Sequence, residues 1–495
     1  MHSTTAPEQF AIPSRAQFEM FLASGGDSRI RLDPFTGRNR YGTPVSPTNG
    51  EIWFSSSTAT AISRRGYAAA RFAFDKWMGD SNIHQSGASA WCDSLRDRIV
   101  ACVGVRGTQA ILSASGTESE ILALTLARSI LRRPITNIVV APNETGSGVM
   151  AAAAGKHFDE LAAVQGVVKK GERLEGWEGA PTETLALEIR NGDGAMRTPT
   201  EIDADALACV DEALAAGRDV VLHVLDTSKT GQGGPSRELA RTIACAASDR
   251  VIVVVDACQL RCSIADIRAD LGAGFLVMIT GSKFVAGPPF CGALLVPPAR
   301  LAALSGMRVP PGLACYSARF DWPLSLRPAL LAERFAPVNI GLGLRWEAAL
   351  SELEAYLKVD ASRRQDIASA FTTLVESRVR SRSHLRFLDA PELDGGKRIR
   401  TIFPIVTSDG ELERTHQIFR ALRGTETSSR VCHVGQPVAS AGGSALRICL
   451  SMPIVTAIAA RIGERNSLQG ALRPIEQDMD LVFDKWDRLA EKPQH

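Results

Sequence analysis

The amino-acid sequence predicts an α/β fold in which a large domain with a mostly parallel central sheet precedes a smaller C-terminal α/β domain. Short apolar runs alternate with helix-like stretches from about residue 105 to 297, as they do in βαβ units. Near residue 340 the pattern changes to long amphipathic helices, and a shorter α/β region follows. We therefore predict an N-terminal arm over residues 1–85, a large domain over 86–340 and a small domain over 341–495.

Six apolar runs are the predicted strands of the large domain. Several are apolar on both faces, which is typical of parallel strands covered by helices on each side. They are QAILSAS, NIVVAP, VVLHVLD, VIVVVDA, FLVMITG and GALLVP, and SEILALTLARSILRR between the first two has helical spacing. The first 85 residues are rich in Pro, Gly and Ser, which predicts an irregular arm rather than an independent domain.

The small domain shows both periodicities. RWEAALSELEAYLKV and SAFTTLVESRV predict one or two long amphipathic helices at its start. IRTIFPIVT and ALRICLS then predict strands on either side of the helix LERTHQIFRALR.

Length and composition are those of a soluble globular protein. The 495 residues are 45% hydrophobic and 22% charged, and 56 Lys and Arg against 54 Asp and Glu leave a formal charge of +2. No long basic block is present to neutralise a row of phosphates, so we expect no nucleic-acid partner. The N-terminus lacks a cationic stretch before an apolar core, and no run reaches the roughly 18 apolar residues of a membrane span. We expect a cytoplasmic protein without a membrane partner.

Ten cysteines are scattered along the chain, and several lie in strand-like runs such as FCGALLV. Buried reduced thiols are the expected state. The closest pair, Cys258 and Cys262, lacks both the two-residue spacer and the further ligands of a zinc site. We therefore predict no metal.

Two of the predicted strands end in a carboxylate and a lysine. VIVVVDA contains Asp256, and FLVMITG leads through Ser282 to Lys283, before a Gly- and Pro-rich turn. Carboxyl ends of parallel strands meet at one edge of an open sheet, where such folds bind ligands. The acid and the amine are therefore predicted to face one site, although Lys283 taken alone is also compatible with a solvated loop.

A second signal lies in SASGTESE, residues 113–120, where a strand gives way through Gly116 and Thr117 to a helix. Backbone N–H groups at a helix N-terminus, together with the helix dipole, bind a phosphate dianion. A capping box without any ligand has the same sequence pattern and remains the alternative.

The motifs SGTE, VDACQ, TGSK with GPP, and ALR together resemble the class V aminotransferase and cysteine desulfurase branch of fold type I enzymes. The resemblance covers about residues 50–455. It implies the aspartate aminotransferase type of fold, pyridoxal 5'-phosphate as cofactor and a homodimer. Lys283 would hold the cofactor as a Schiff base, and Asp256 would keep its pyridine nitrogen protonated so that the ring accepts electrons.

Carried over by position, the resemblance assigns further cofactor ligands. Gly116, Thr117, Thr280 and Ser282 would bind the phosphate, and Gln259 would bond the ring 3'-oxygen. Two positions depart from the pattern: Thr145 stands where the branch stacks a histidine on the ring, and Asp226 stands where it has an asparagine. A small residue at 145 leaves room over the ring, and Asp226 is expected to touch the ring oxygen or the substrate.

The resemblance also implies substrate ligands. Arg447 falls where the branch keeps the arginine that clamps the substrate α-carboxylate, a role that suits a planar guanidinium. His433 lies in the segment that closes over the substrate. Tyr41, in NRYG, resembles the tyrosine of an Asn-Pro-Tyr-Gly motif that reaches the other subunit's phosphate. The arm, through Trp53 and its neighbours, is expected to shape the substrate pocket.

The expected activity is that of a transferase or lyase on an α-amino acid in specialised biosynthesis. It would proceed through an external aldimine and a Cα-deprotonated quinonoid to amino transfer or to β- or γ-elimination or replacement. Cysteine desulfurase or C–S lyase activity is an alternative. The desulfurase cysteine is not matched, because the HCAQP-like segment reads His433-Val434-Gly435-Gln436-Pro437 here and the nearest thiol is Cys432. A non-catalytic pyridoxal-phosphate-binding regulator is the alternative from another class.

Overall fold

The computed structural model describes residues 14–78, 85–177, 182–388, 400–407, 410–424, 430–440, 442–465 and 467–490. The strands within these ranges are β1 (Ile52–Phe54), β2 (Gln109–Ser113), β3 (Ile135–Val140), β4 (Leu161–Ala162), β5 (Gly166–Val167), β6 (Glu183–Leu187), β7 (Asp219–Leu225), β8 (Val251–Ala257), β9 (Leu276–Thr280), β10 (Gly292–Val296), β11 (Leu385–Phe387), β12 (Ile402–Thr407), β13 (Cys432–Val438) and β14 (Ala445–Cys449). The α-helices are α1 (Arg15–Leu22), α2 (Arg64–Met78), α3 (Gln85–Val103), α4 (Gly116–Ile130), α5 (Val149–Ala153), α6 (Pro199–Ala215), α7 (Arg237–Ala246), α8 (Ile264–Gly272), α9 (Pro298–Leu301), α10 (Ile340–Leu357), α11 (Ala361–Arg380), α12 (Leu412–Leu422), α13 (Met452–Arg465) and α14 (Leu468–Ala490).

The large sheet has the strand order β2-β10-β9-β8-β7-β3-β6. Every neighbouring pair is parallel except those of β10, which runs antiparallel to both β2 and β9. All six strands predicted from apolar runs are present, which confirms the mostly parallel sheet. The edge strand β6 was not predicted, because four of its five residues remain partly or fully exposed and it carries no apolar run.

The strand β8 shows why this sheet has helices on both faces. Val253 and Val255 pack into one hydrophobic core, whereas Ile252 and Val254 pack into a second core on the opposite side. Since side chains alternate along a strand, only a strand covered on both faces is apolar at every position. Every residue of the run VIVVVDA is therefore buried except Asp256, its penultimate residue, which is half-buried.

The small sheet has the order β1-β13-β14-β12-β11. The predicted strands β12 and β14 lie at its centre and run antiparallel. Its first strand comes from the N-terminal arm, since β1 pairs in parallel with β13, Ile52 opposite Cys432. The arm is thus part of the small sheet, and the domain limits near residues 85 and 340 stay predictions.

The prediction of an irregular arm is wrong for α2. Gly66, Ala70, Ala73 and Phe74 are buried at the spacing of one helix face, and α2 packs on α10 through that face. The helical period was concealed by alanines and by the Gly-rich surroundings. Residues 1–13 of the arm lie outside the described residues. None of the helices in the described part of the chain combines the length and apolarity needed to cross a bilayer.

Candidate active site

The carboxyl ends of β8 and β9 and the turn between β2 and α4 surround one cavity with two connected parts. Because β2, β8 and β9 run in the same direction, their carboxyl ends meet at one edge of the sheet. The inner cavity is lined by Gly116, Thr117, Asp256, Thr280, Ser282 and Lys283, among others. The outer cavity is lined by Arg40, Asp159, Lys170, Lys229, Gln436 and Arg447, among others. Residues shared by the two parts include Arg29, Tyr41, Thr58, Thr145, Lys229 and Lys283.

Lys283 lies where the inner and outer cavities join. Its Nζ donates a hydrogen bond to the backbone oxygen of Thr58 at 3.0 Å, and it makes no ion pair with a carboxylate of the described chain. Burial, and then the positive charges of Lys229 and Arg447, lower the pKa of Lys283 to about 7. A large fraction of this amine is therefore neutral at neutral pH, which is the form that attacks a carbonyl carbon.

Asp256 lines the floor of the inner cavity. Its Oδ1 accepts a hydrogen bond from the Cys258 N–H at 3.0 Å. Burial raises the pKa of Asp256, whereas the Cys258 bond and the nearby imidazole of His223 act in the opposite direction. His223 itself is buried beside Glu120, with Nε2 3.2 Å from Oε1. A cationic group in the cavity would stabilise the charged form of Asp256.

The N-terminus of α4 opens into the inner cavity as a set of unpaired donors. Ser115 caps the helix by accepting from the Glu118 N–H at 3.3 Å. Among the described residues, no acceptor is bonded to the N–H groups of Gly116 and Thr117 or to the hydroxyls of Thr117 and Ser282. Four donors around one helix terminus form a site for a multiply charged anion.

Two tight contacts fix this cradle. A Cβ on Gly116 would approach the Cys258 Sγ to 2.6 Å, so only glycine lets the turn lie this close to β8. The Thr280 hydroxyl donates to the Cys258 backbone oxygen at 2.6 Å, which ties the end of β9 to the segment after β8 that packs on Gly116. Gln259 also lines the inner cavity, and its Nε2 donates to the Ser57 backbone oxygen at 3.1 Å.

Arg447 projects from β14 into the outer cavity. It is only 1% exposed, and its hydrogen bonds go to neutral oxygens: Gln436 O at 2.7 Å, Thr58 Oγ1 at 2.9 Å and Lys229 O at 3.4 Å. No carboxylate in the described part of the chain pairs with it. A buried guanidinium without a counterion is expensive unless an anionic ligand joins it.

Tyr41 and Thr145 each line both parts of the cavity. Tyr41 comes from the arm and lies beside Phe290, with ring centroids 6.2 Å apart. Thr145 turns its hydroxyl back to the Ala141 oxygen at 3.2 Å. The roles predicted for these two residues stay predictions, but the structure places both at the cavity.

The structure does not bring Asp226 to the cavity, and the expectation that it touches a cofactor or substrate is corrected. Its carboxylate pairs with Arg237 at 2.9 Å and accepts from the Thr227 hydroxyl at 2.7 Å. Thr227 lines the inner cavity in its place. Neighbouring residues after β7 point in opposite directions, so a resemblance shifted by one position selects the wrong side chain.

His433 is also displaced from its predicted place. Its ring stacks on Trp53, with centroids 3.5 Å apart and planes 2° apart, and its Nε2 lies 2.9 Å from Glu51 Oε2. These contacts belong to the β1–β13 edge of the small sheet, where Trp53 is the register partner of His433. Gln436, three residues along β13, is the residue that lines the outer cavity.

Several cavity residues were not anticipated from the sequence, among them Arg29, Thr58 and Lys229. Lys229 lies within HVLDTSKTG, a motif in which attention fell on Asp226. Arg29 and Thr58 belong to the arm, where no local pattern distinguishes them from solvent-exposed residues. Within the described part of the arm, these two side chains line the cavity together with Arg40, Tyr41 and Ser57.

Solved structures share this fold. The cysteine desulfurase CsdA from Escherichia coli, in its S-sulfonic acid form, superposes with a TM-score of 0.53 at 13% identity, covering 89% of this chain and 94% of that one. Mouse CSAD in its apo form gives 0.55 at 14% identity, over 89% and 84%, and a NifS-like protein gives 0.52 at 14%, over 88% and 98%. Neither a protein-family model nor a curated protein matches the sequence. The chain has the pyridoxal-phosphate-dependent transferase fold, which confirms the predicted fold class.

Proposed function

We propose that this protein is a pyridoxal 5'-phosphate-dependent enzyme that acts at the α-carbon of an amino acid. The observation that carries the proposal is the position of Lys283, an amine of lowered pKa that lines one cavity with an anion cradle and the half-buried carboxylate of Asp256. The shared fold of a cysteine desulfurase and a NifS-like protein supports the same conclusion.

The residues present fit the cofactor. Its phosphate suits the free N–H groups of Gly116 and Thr117 and the Thr117 and Ser282 hydroxyls, while Thr280 fixes Cys258, on which Gly116 packs. Its ring nitrogen suits Asp256, whose burial requires a cationic partner if it is to stay charged. Lys283 would bind its aldehyde. Gln259, on the lining of the same cavity, is the proposed ligand of the ring oxygen.

When bound, pyridoxal phosphate supplies an electron sink for the charge left at the substrate α-carbon. The side chains of this chain do the rest. Arg447 binds and orients the α-carboxylate, which fixes the bond that faces Lys283. Lys283, with a pKa near 7, then accepts the α-proton and returns it. Asp256 would stabilise a protonated ring nitrogen of the cofactor throughout the reaction.

Proton removal is followed either by amino transfer or by elimination or replacement at the β- or γ-carbon. We also propose that the enzyme is a homodimer with a role in specialised biosynthesis. Desulfurase activity is less well supported. The Cys432 thiol is buried in the small sheet and donates to the Arg430 oxygen at 3.3 Å, so it does not line the cavity. Cys258, which does line it, has a pKa well above its ordinary value because burial and Asp256 disfavour its thiolate.

The test is chemical. Protein purified with added pyridoxal phosphate should be yellow, and borohydride should fix the cofactor on the peptide that contains Lys283. Lys283→Ala should lose the linkage while keeping its circular dichroism spectrum, and the exposed-site control Lys169→Ala should keep both. Colourless protein, or cofactor fixed elsewhere, would refute the proposal. Incubation with single amino acids then separates amino transfer, which yields a keto acid and no free ammonia, from elimination, which releases ammonia.

A further inference from the structure

The outer cavity carries more positive charge than a neutral amino-acid substrate requires. Besides Lys283, its described lining has five cationic side chains and one carboxylate, that of Asp159. The five are Arg29, Arg40, Lys170, Lys229 and Arg447. The whole chain has a formal charge of only +2, so this excess is local to the cavity rather than a consequence of composition.

Some of these charges already have a partner or a role. Arg29 is paired with Asp27, its Nε lying 2.9 and 3.1 Å from the two carboxylate oxygens. Arg447 is assigned to the α-carboxylate of the substrate. Arg40 and Lys170 are exposed at the mouth of the cavity. Lys229 is the remaining interior cation.

The nearby carboxylates are engaged elsewhere. Glu144 forms an ion pair with Arg190 and accepts from the Ser228 hydroxyl at 2.6 Å. Asp159 accepts from the Ser28 hydroxyl and from the Leu161 N–H, both at 3.0 Å. Within the described residues, no carboxylate lies at ion-pair distance from the Lys229 ammonium.

The backbone of Lys229 is held in place. Its N–H donates to the Glu144 oxygen at 2.9 Å, and its own oxygen accepts from Arg447 Nη1 at 3.4 Å. Lys229 and Arg447, which are joined by this hydrogen bond, thus both project a cationic side chain into the outer cavity. Burial, and then Arg447, lower the pKa of Lys229 to about 8, so the ammonium is still largely charged at pH 7.

On this geometry, and resting on the function proposed above, we propose that the substrate is an α-amino acid whose side chain ends in a second anionic group. Arg447 binds the α-carboxylate and Lys229 binds the distal anion. A neutral side chain would leave the buried ammonium without a counterion, which disfavours such substrates. Arg40 and Lys170 at the mouth add a field that attracts a dianion towards the cavity.

The experiment compares matched amino acids on the loaded enzyme, with binding followed by the change in cofactor absorbance. The pairs are L-aspartate with L-asparagine, L-glutamate with L-glutamine and O-phospho-L-serine with L-serine. At least one acidic member should bind about 10- to 100-fold more tightly than its neutral partner, the range expected for one charged hydrogen bond. Lys229→Gln should remove that preference, measured within each pair as the ratio of the affinity for the acidic member to that for the neutral member. Lys229→Arg and the exposed-site control Lys169→Gln should retain it.

Three results would overturn the inference or its basis, and they are distinguishable. Equal binding of all acidic and neutral partners, with Lys283 carrying the cofactor, refutes the acidic substrate alone. A preference that survives Lys229→Gln refutes the assignment to Lys229. Absence of the Lys283 linkage refutes the proposed function. In that case, calorimetry of cofactor-free protein with glutarate and with butyrate still tests the cavity, because a dianion site binds glutarate more tightly and loses the difference in Lys229→Gln.

Discussion

The inner and outer parts of the cavity are built in different ways. The inner part is made by the ends of adjacent strands of one sheet: Asp256 is the penultimate residue of β8, and Lys283 follows β9 by three residues. The outer part is assembled from the arm, the β7–α7 loop and the small sheet, which contribute Arg29, Lys229 and Arg447. The difference indicates that a sheet fixes the chemistry common to a fold, whereas loops from distant parts of the chain determine what is bound.

Cofactor affinity should show the largest loss when a charge of the inner part is removed. Asp256→Asn keeps the size of the side chain and its bond to the Cys258 N–H, but it takes away the anion that faces the cofactor. Removing one partner of a buried charge pair costs about 2–5 kcal/mol, so cofactor affinity should fall roughly 30- to 4,000-fold. Equilibrium dialysis with pyridoxal phosphate measures it. The mouth variant Arg40→Gln should bind the cofactor as the unmodified protein does, and equal losses in both would contradict the division into two parts.

The sequence selected residues that line the inner part together because its signals there are local. A strand buried on both faces and ending in an acid, a lysine before a Gly-Pro turn, and a Ser-Gly-Thr helix start each occupy fewer than about ten residues, and each has a direct physical meaning. The same strands gave the parallel sheet. The edge strand β6 and helix α2 were missed because solvent exposure and alanine weaken the apolar period on which prediction depends.

The outer part was predicted poorly because its residues meet only in the folded chain. Lys229 and Arg447 are separated by 218 positions yet share a hydrogen bond. The resemblance selected Arg447, which lines the outer cavity, but it also selected Asp226 instead of Thr227 and His433 instead of Gln436. Both errors concern which face of an extended segment a side chain occupies, and one or three positions along such a segment reverse that face.

A comparison of two buried arginines sharpens the contrast. Arg345 donates to the backbone oxygens of Phe290 at 2.7 Å, Leu22 at 3.0 Å and Gly25 at 2.8 Å, so it ties the arm to the body of the protein. Arg447 bonds to neutral oxygens as well, but it lines a cavity. Arg447→Lys should reduce the binding of α-amino acids about 10- to 100-fold, since a lysine cannot make two parallel bonds to a carboxylate. Cofactor absorbance should stay unchanged.

The control, Arg345→Lys, should behave in the opposite way. It leaves carbonyl oxygens unsatisfied inside the protein and should lower the free energy of unfolding by about 1–3 kcal/mol, while amino-acid affinity in the folded protein is retained. Urea unfolding and absorbance titration separate the two effects. Loss of stability without loss of affinity in Arg447→Lys would show that Arg447 is structural.

The pH dependence of cofactor capture tests whether the outer charges act on the inner amine. Because the pKa of Lys283 is lowered to about 7, the neutral amine accumulates as pH rises, tenfold per unit, until pH 7 and changes little above it. Capture by the protein should therefore level off near pH 7, whereas capture by N-acetyl-lysine keeps rising towards pH 10. Lys229→Gln removes one of the charges that lower this pKa, so its levelling should move to higher pH. An unshifted profile would mean that the charge of Lys229 does not contribute to the lowered pKa of Lys283.

The smallest effect is expected at His433, which distinguishes the observed site from the predicted one. His433→Phe keeps the stacking on Trp53 and loses the bond to Glu51, which remains paired with Arg38. Amino-acid binding should stay within about twofold, and unfolding free energy should fall by about 1 kcal/mol at pH 7. Burial lowers the pKa of His433 to about 4, below its unfolded value, so its stabilisation is complete above pH 6.5 and disappears as pH falls towards 4. The difference in unfolding free energy between the unmodified protein and His433→Phe should therefore narrow over that range. A tenfold loss of amino-acid affinity in His433→Phe would instead show that His433 contacts the substrate.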